Sequence, residues 1–196
     1  MDRVNIRQSY SESSDLLRRL AADGGFLTRV EAAARRCVRA VRTGKKILSF
    51  GNGGSAADAQ HFAAELVGRF LRERPGYPAI SLNTNVSVLT CLGNDYGYDR
   101  VFDRQIEALG RRGDVALAIS TSGRSANVNR ALRLAGRMGL YRIGLTGKTG
   151  GPMARLVDIE LRVPAASTPR TQEAHIATLH ILCDLIESSL ARRRRR

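Results

Sequence analysis

His61 and Glu65 stand four residues apart, the spacing that brings two side chains onto one face of a helix, and together they present an imidazole and a carboxylate to one region of space. Such a pair can remove a carbon-bound proton and return it to a neighbouring atom. Only three histidines occur in the 196 residues, and the other two, His175 and His180, fall in the short stretch from Gln172 to His180. Taken alone, His61 and Glu65 are also an ordinary solvated i,i+4 pair. The segment just upstream gives them a context.

That segment, Gly51-Asn-Gly-Gly-Ser-Ala-Ala-Asp58, is a glycine-rich turn entering the helix that carries His61. Its glycines permit positive φ, and Ser55 is placed to cap the helix, so the turn has the makings of an anion cradle. The Lys-Ser/Thr ending of a P-loop is absent and the spacing departs from GxGxxG, so neither nucleotide fingerprint applies. A second segment, Ser120-Thr-Ser-Gly-Arg-Ser125, offers four hydroxyls and a glycine immediately before another helical pattern. Hydroxyls and free N–H groups at a helix N-terminus hold phosphate without lysine. Simple capping uses one or two hydroxyls and leaves the others unexplained.

To hold these loops the chain needs strands that end at them. Short apolar runs bounded by turn residues predict five strands, at Lys46–Phe50, Pro78–Leu82, Asp114–Ser120, Tyr141–Thr146 and Asp158–Val163. Helical spacing predicts a hairpin of helices over about 4–22 and 26–43. Further helices are expected near 54–71, 97–109 and 125–138, and a long amphipathic one over about 170–191. Alternation of strand and helix implies a doubly wound, five-stranded parallel sheet in an α/β fold, whose ligands gather at the carboxyl ends of the strands.

Composition sets the outer limits. A hydrophobic content of 43% over 196 residues suits one domain, expected over 1–191 with the hairpin at about 1–43, followed by a disordered tail over 192–196. Lys and Arg total 32 against 18 Asp and Glu, a formal charge of +14, of which Arg192 to Arg196 contribute five. A basic body favours anionic ligands. No helix-turn-helix, RNP-like or zinc-finger pattern supports specific nucleic-acid binding. No apolar run suits a membrane span, and Met1-Asp-Arg-Val-Asn lacks a signal-peptide core, so a cytoplasmic location is expected. Cys37, Cys91 and Cys183 are widely spaced, which suggests neither a disulfide framework nor a thiolate zinc site.

Five motifs in order, GNGGSAADAQH at 51–61, ERPGYPAI at 73–80, GNDYGYD at 93–99, STSGRSAN at 120–127 and RTQEAH at 170–175, resemble the bacterial phosphoheptose isomerase family of the sugar isomerase (SIS) fold. The resemblance covers nearly the whole chain. It implies conversion of D-sedoheptulose 7-phosphate to D-glycero-D-manno-heptose 7-phosphate, the first step toward the activated heptose of lipopolysaccharide or related glycans. It also implies homotetramers with active sites between subunits.

Residue by residue, the resemblance makes Glu65 the general base and His180 its acid/base partner. It makes His61, Glu65, Gln172 and His180 the ligands of a zinc ion found in some members. Asn52, Gly53, Ser55, Arg69, Asp95, Ser120, Thr121, Ser122, Ser125 and Gln172 become substrate contacts. Asn85 and Pro169 depart from the family pattern, in segments where other members carry acidic residues. Gln172 and His180 would lie about 12 Å apart along one straight helix and roughly 80° around it. Either Gln172 occupies an irregular first turn, or the ligands of one ion come from two subunits. The apolar stripe Ile176, Leu179, Leu182, Ile186 and Leu190 is expected to bury much of the subunit contact. The rival reading is a non-catalytic SIS module that binds a phosphosugar or a protein, of the replication-initiator-associating type. That group typically lacks the Glu65 and His180 pair present here.

Overall fold

The computed structural model describes residues 5–191, so the expected arginine tail lies outside the described residues. Five strands, β1 (Ile47–Gly51), β2 (Ala79–Ser81), β3 (Val115–Ser120), β4 (Tyr141–Gly147) and β5 (Ile159–Val163), form one parallel sheet in the order β2-β1-β3-β4-β5. Register runs Ile47 to Val115 between β1 and β3, and Val115 to Tyr141 between β3 and β4.

Both faces of the sheet are covered because the strands are apolar on both sides. Ile47 of β1 and Val115, Leu117 and Ile119 of β3 pack with α1 (Ile6–Ala22), α2 (Gly24–Arg42), α3 (Gly54–Val67) and α7 (Thr168–Ala191). Leu48, Phe50, Ala116 and Ala118 pack on the other face with α5 (Asp103–Leu109) and α6 (Ala126–Arg137). The period-2 alternation of β1 and β3 thus divides the core into two layers. The expected doubly wound fold is the one observed.

Three expectations change. The helix expected at 97–109 is broken: a 3-10 turn at Tyr98–Arg100 follows Gly97, whose φ is +83°, and α5 starts only at Asp103. An unexpected helix, α4 (Val86–Tyr96), precedes it, and Asn85 caps it by accepting from the Val88 N–H at 3.1 Å. The departure at Asn85 therefore has a structural role. Finally, Leu179, Leu182 and Ile186 are fully buried in the chain's own core beside α2 and α3, so the stripe on α7 is intramolecular.

The segment after α3 is fixed by a buried carboxylate. Glu187 accepts from the backbone N–H groups of Phe70, Leu71 and Arg72 at 3.1, 2.9 and 2.9 Å and from Arg74 Nε at 3.0 Å. Burial pushes its carboxyl upward, but these donors outweigh burial and hold it below the usual carboxylate range. Glu187→Gln replaces an accepting oxygen with an NH₂ facing N–H groups. It should lower stability by about 1–3 kcal/mol, read as a lower urea midpoint at unchanged slope.

Candidate active site

The strand order reverses between β1 and β3, and at that switch point two loops leave the carboxyl ends of neighbouring strands. The loop after β1 runs through Asn52 and Gly53, which has φ +58° and precedes α3. Ser55 was expected to cap that helix; Gly53 occupies the cap instead, and Ser55 lies buried inside the first turn. Its packing explains Gly51: a Cβ there would fall 2.7 Å from the Ser55 carbonyl and 2.8 Å from that of Ile119. The loop after β3 ends at Ser125, the N-cap of α6. Within it the Ser120 and Ser125 hydroxyls lie 3.1 Å apart, and Ser122 Oγ accepts from the Arg124 N–H at 3.2 Å. Thr121 is half-buried between them.

The two loops are tied together by side chains. Asn52 and Asn127 exchange amide hydrogen bonds at 2.9 and 3.0 Å, and the Tyr98 hydroxyl donates to Asn52 Oδ1 at 3.2 Å. Asn83 clamps Gly51 by accepting from its N–H at 3.2 Å and donating to its carbonyl at 2.9 Å. Sequence reasoning named Asn52 but not Asn83, Tyr98 or Asn127. Tyr98 and Asn127 lie inside the quoted motifs GNDYGYD and STSGRSAN, which was the available signal.

Along α3 the expected pair forms. His61 Nε2 is 3.3 Å from Glu65 Oε1, and His180 Nε2, arriving from α7, is 2.9 Å from His61 Nε2. The two rings meet edge to face at 5.1 Å, and Phe70 stands 5.6 Å from the His180 ring. Glu187, which holds the Phe70 backbone, therefore supports the group that backs His180. All these residues belong to one chain.

Gln172 lies elsewhere along the same two helices. A Cβ on Gly54 would meet its Nε2 at 2.3 Å, so Gln172 sits against the head of α3, seven residues before His61. α7 is helical from Thr168 onward, with Pro169 in its first turn, where a missing N–H costs nothing. The irregular-turn expectation is thus corrected: a continuous helix carries both Gln172 and His180. Arg69 and Asp95 are occupied with other partners in this chain. Arg69 faces Glu73 at 3.8 Å on the surface, and Asp95 is exposed on α4, accepting from Asn94 at 2.8 Å.

His175, the histidine with no assigned role, is fully buried on α7. Its Nε2 lies 3.0 Å from the Thr146 carbonyl, which can only accept, so Nε2 carries the proton and Nδ1 has no partner among the described residues. Burial pulls its pKa down to about 4, against a smaller upward effect of that hydrogen bond. Between about pH 6.5 and 4 the unfolded chain binds a proton here that the folded chain does not, so this stability is lost as pH falls. The stability advantage of wild type over His175→Gln should shrink by on the order of 3 kcal/mol across that window in paired denaturation series. Asp58, one turn before His61, is a further group not singled out by sequence. Burial pushes its carboxyl up to about 6 while His61 draws it down, and its Oδ2 has no partner among the described residues.

Among the described residues no three His, Cys, Asp or Glu side chains form a ready-made metal centre. Two imidazole nitrogens and a carboxylate oxygen are nevertheless zinc-type donors. His61 Nε2 lies 2.9 Å from His180 Nε2 and 3.3 Å from Glu65 Oε1, so the three groups fit zinc by the kind of donor they offer, without forming a ready-made centre.

Residues 10–147 match the family model described as the SIS domain. The chain belongs to the SIS domain family. It is 55% identical over 167 residues to the phosphoheptose isomerase of Geotalea uraniireducens, covering 85% of this chain and 88% of that one. It is 46% identical over 185 residues to that of Burkholderia pseudomallei, covering 94% of each. The solved phosphoheptose isomerase of Neisseria gonorrhoeae superposes with a TM-score of 0.88 at 42% identity, over 93% of this chain and 97% of that one. Within the SIS fold, the chain belongs to the phosphoheptose isomerase family of enzymes.

Proposed function

We propose that the protein interconverts D-sedoheptulose 7-phosphate and D-glycero-D-manno-heptose 7-phosphate. The observation that carries this reading is the convergence of Glu65, His61 and His180 on the helix that begins at the glycine-rich loop. Glu65 takes a proton from C1, and the C1–H electron pair becomes the C1–C2 double bond while His180 protonates the C2 oxygen. His180 then recovers a proton from the C1 hydroxyl as Glu65 delivers its own to C2, leaving the carbonyl at C1. His61 touches both groups and orients them.

The phosphate is assigned to the loop over 120–125 and the head of α6, through Ser120, Thr121, Ser122 and Ser125 with backbone N–H groups. Ser55 is assigned to the phosphate side with them, and Asn52, Gly53 and Gln172 at the head of α3 are assigned to the sugar. Zinc, where bound, would be held by His61, Glu65 and His180 of one chain, with Gln172 of the partner subunit as the fourth donor that the resemblance implies, since the continuous α7 cannot bring its own Gln172 to the same ion. It would polarise the carbonyl and hydroxyl oxygens as a Lewis acid.

A homotetramer is the proposed assembly. α4 buries none of its residues, and Val86, Tyr96 and Tyr98 are exposed, which leaves apolar surface for another copy. Among the described residues no helix is long and apolar enough to cross a membrane. The three cysteines are free, which suits the proposed reducing, cytoplasmic setting.

Incubation of the purified protein with sedoheptulose 7-phosphate should give an aldoheptose 7-phosphate, whereas unphosphorylated sedoheptulose should be a very poor substrate. Equal handling of the two sugars would contradict the phosphate assignment. Ser122→Ala should weaken substrate binding by about 1–3 kcal/mol with a smaller change in kcat, seen as a raised KM.

A further inference from the structure

At the opposite pole of the sheet, where β1, β3 and β4 begin, lies a cavity of about 670 Å³ whose lining includes Arg36, Arg39, Lys45, Arg112 and Arg142 with Asp158 as the one carboxylate. The strands between this cavity and the catalytic loops are five to seven residues long, a separation of about 15–20 Å. We propose that this cavity binds a small polyanion bearing linked phosphates, of the pyrophosphate or triphosphate class, independently of the isomerase site.

Three of the five charges are not consumed internally. Arg142 is paired with Asp158, donating from Nη2 at 2.7 Å and from Nε at 3.1 Å. Arg36 lies 4.5 Å over the Tyr141 ring. Among the described residues Arg39, Lys45 and Arg112 have no carboxylate partner. Arg39 occupies the last turn of α2, where a cation complements the helix end. Lys45 and Arg112 come from the loops before β1 and β3, so that explanation does not extend to them.

The walls are shaped around the guanidinium groups. A Cβ on Gly136 would meet Arg142 Nη1 at 2.6 Å, and one on Gly139, where φ is +77°, would meet the Arg112 side chain at 3.3 Å. Glycine at both positions lets the arginines lie against backbone. Five cations against one carboxylate call for more charge than a single phosphate monoester supplies. A concave space of this volume suits a small molecule, while a nucleic-acid duplex needs an extended basic face.

The test is calorimetric titration of the full chain with sodium tripolyphosphate at physiological salt, without and with saturating sedoheptulose 7-phosphate. Binding at one site per chain is expected, weakened at least ~10-fold in Lys45→Glu/Arg112→Glu and less in Lys45→Ala/Arg112→Ala, with isomerase activity retained in both. Loss of the titration signal in the presence of the sugar phosphate would place the anion in the catalytic loops and overturn the proposal. So would equal affinity in wild type and the alanine pair, or tighter binding of duplex DNA than of tripolyphosphate.

Discussion

Glu65→Gln should lower turnover by on the order of 10²–10⁴ while leaving the fold intact. Glutamine keeps the volume of the side chain and can still hydrogen-bond to His61 Nε2, which lies 3.3 Å from Glu65 Oε1. It cannot accept a proton from carbon. The backbone around residue 65 is fixed independently of the carboxylate, since its carbonyl accepts from Arg74 Nη2 at 2.8 Å. A kcat loss with unchanged circular dichroism and urea midpoint is the expected pair of results, and wild-type-like turnover would remove Glu65 from its role.

Mixing inactive Glu65→Gln subunits with inactive His180→Ala subunits should not restore activity, even after verified subunit exchange. His180 Nε2 reaches His61 Nε2 at 2.9 Å within a single chain, and His61 in turn reaches Glu65. Each proposed site is therefore expected to take both groups from one polypeptide, in place of a pair split between subunits. His180→Ala alone should cost about as much as Glu65→Gln, because the hydroxyl protons lose their carrier and the Phe70 ring loses the imidazole it contacts. Reappearance of activity in the exchanged mixture would show the pair split between subunits, against the contacts seen here.

Sequence periodicity revealed most of the scaffold because its strands are buried on both faces and end at glycine or hydroxyl residues, as β1 does at Gly51 and β3 at Ser120. α4 escaped because Val86, Val88 and Thr90 are β-branched, lowering helix propensity, and because its apolar run is short, with Leu89 and Leu92 only partly buried against the core. Gly97 then divides what looks like one helix. The i,i+4 spacing revealed His61 and Glu65, but the meeting of His61 with His180 depends on how α3 packs beside α7, which spacing along either helix does not encode. The stripe on α7 was legible as apolar and not as intramolecular, since a hydrophobic face does not name its partner. Glu187, Asn83 and Asn127 are conformational supports, and a polar residue that satisfies distant backbone groups carries no local signature.

Solvent isotope incorporation tests the central claim most directly. Sedoheptulose 7-phosphate is turned over in D₂O, and the aldoheptose 7-phosphate is examined for deuterium at C2 by NMR. Proton transfer through Glu65 predicts product deuterated at C2 with wild type, from exchange of the carboxyl proton with solvent, and a 10²–10⁴-fold slower appearance of that product with Glu65→Gln. No aldoheptose phosphate from wild type, or equal rates of deuterated product from the two proteins, would contradict it.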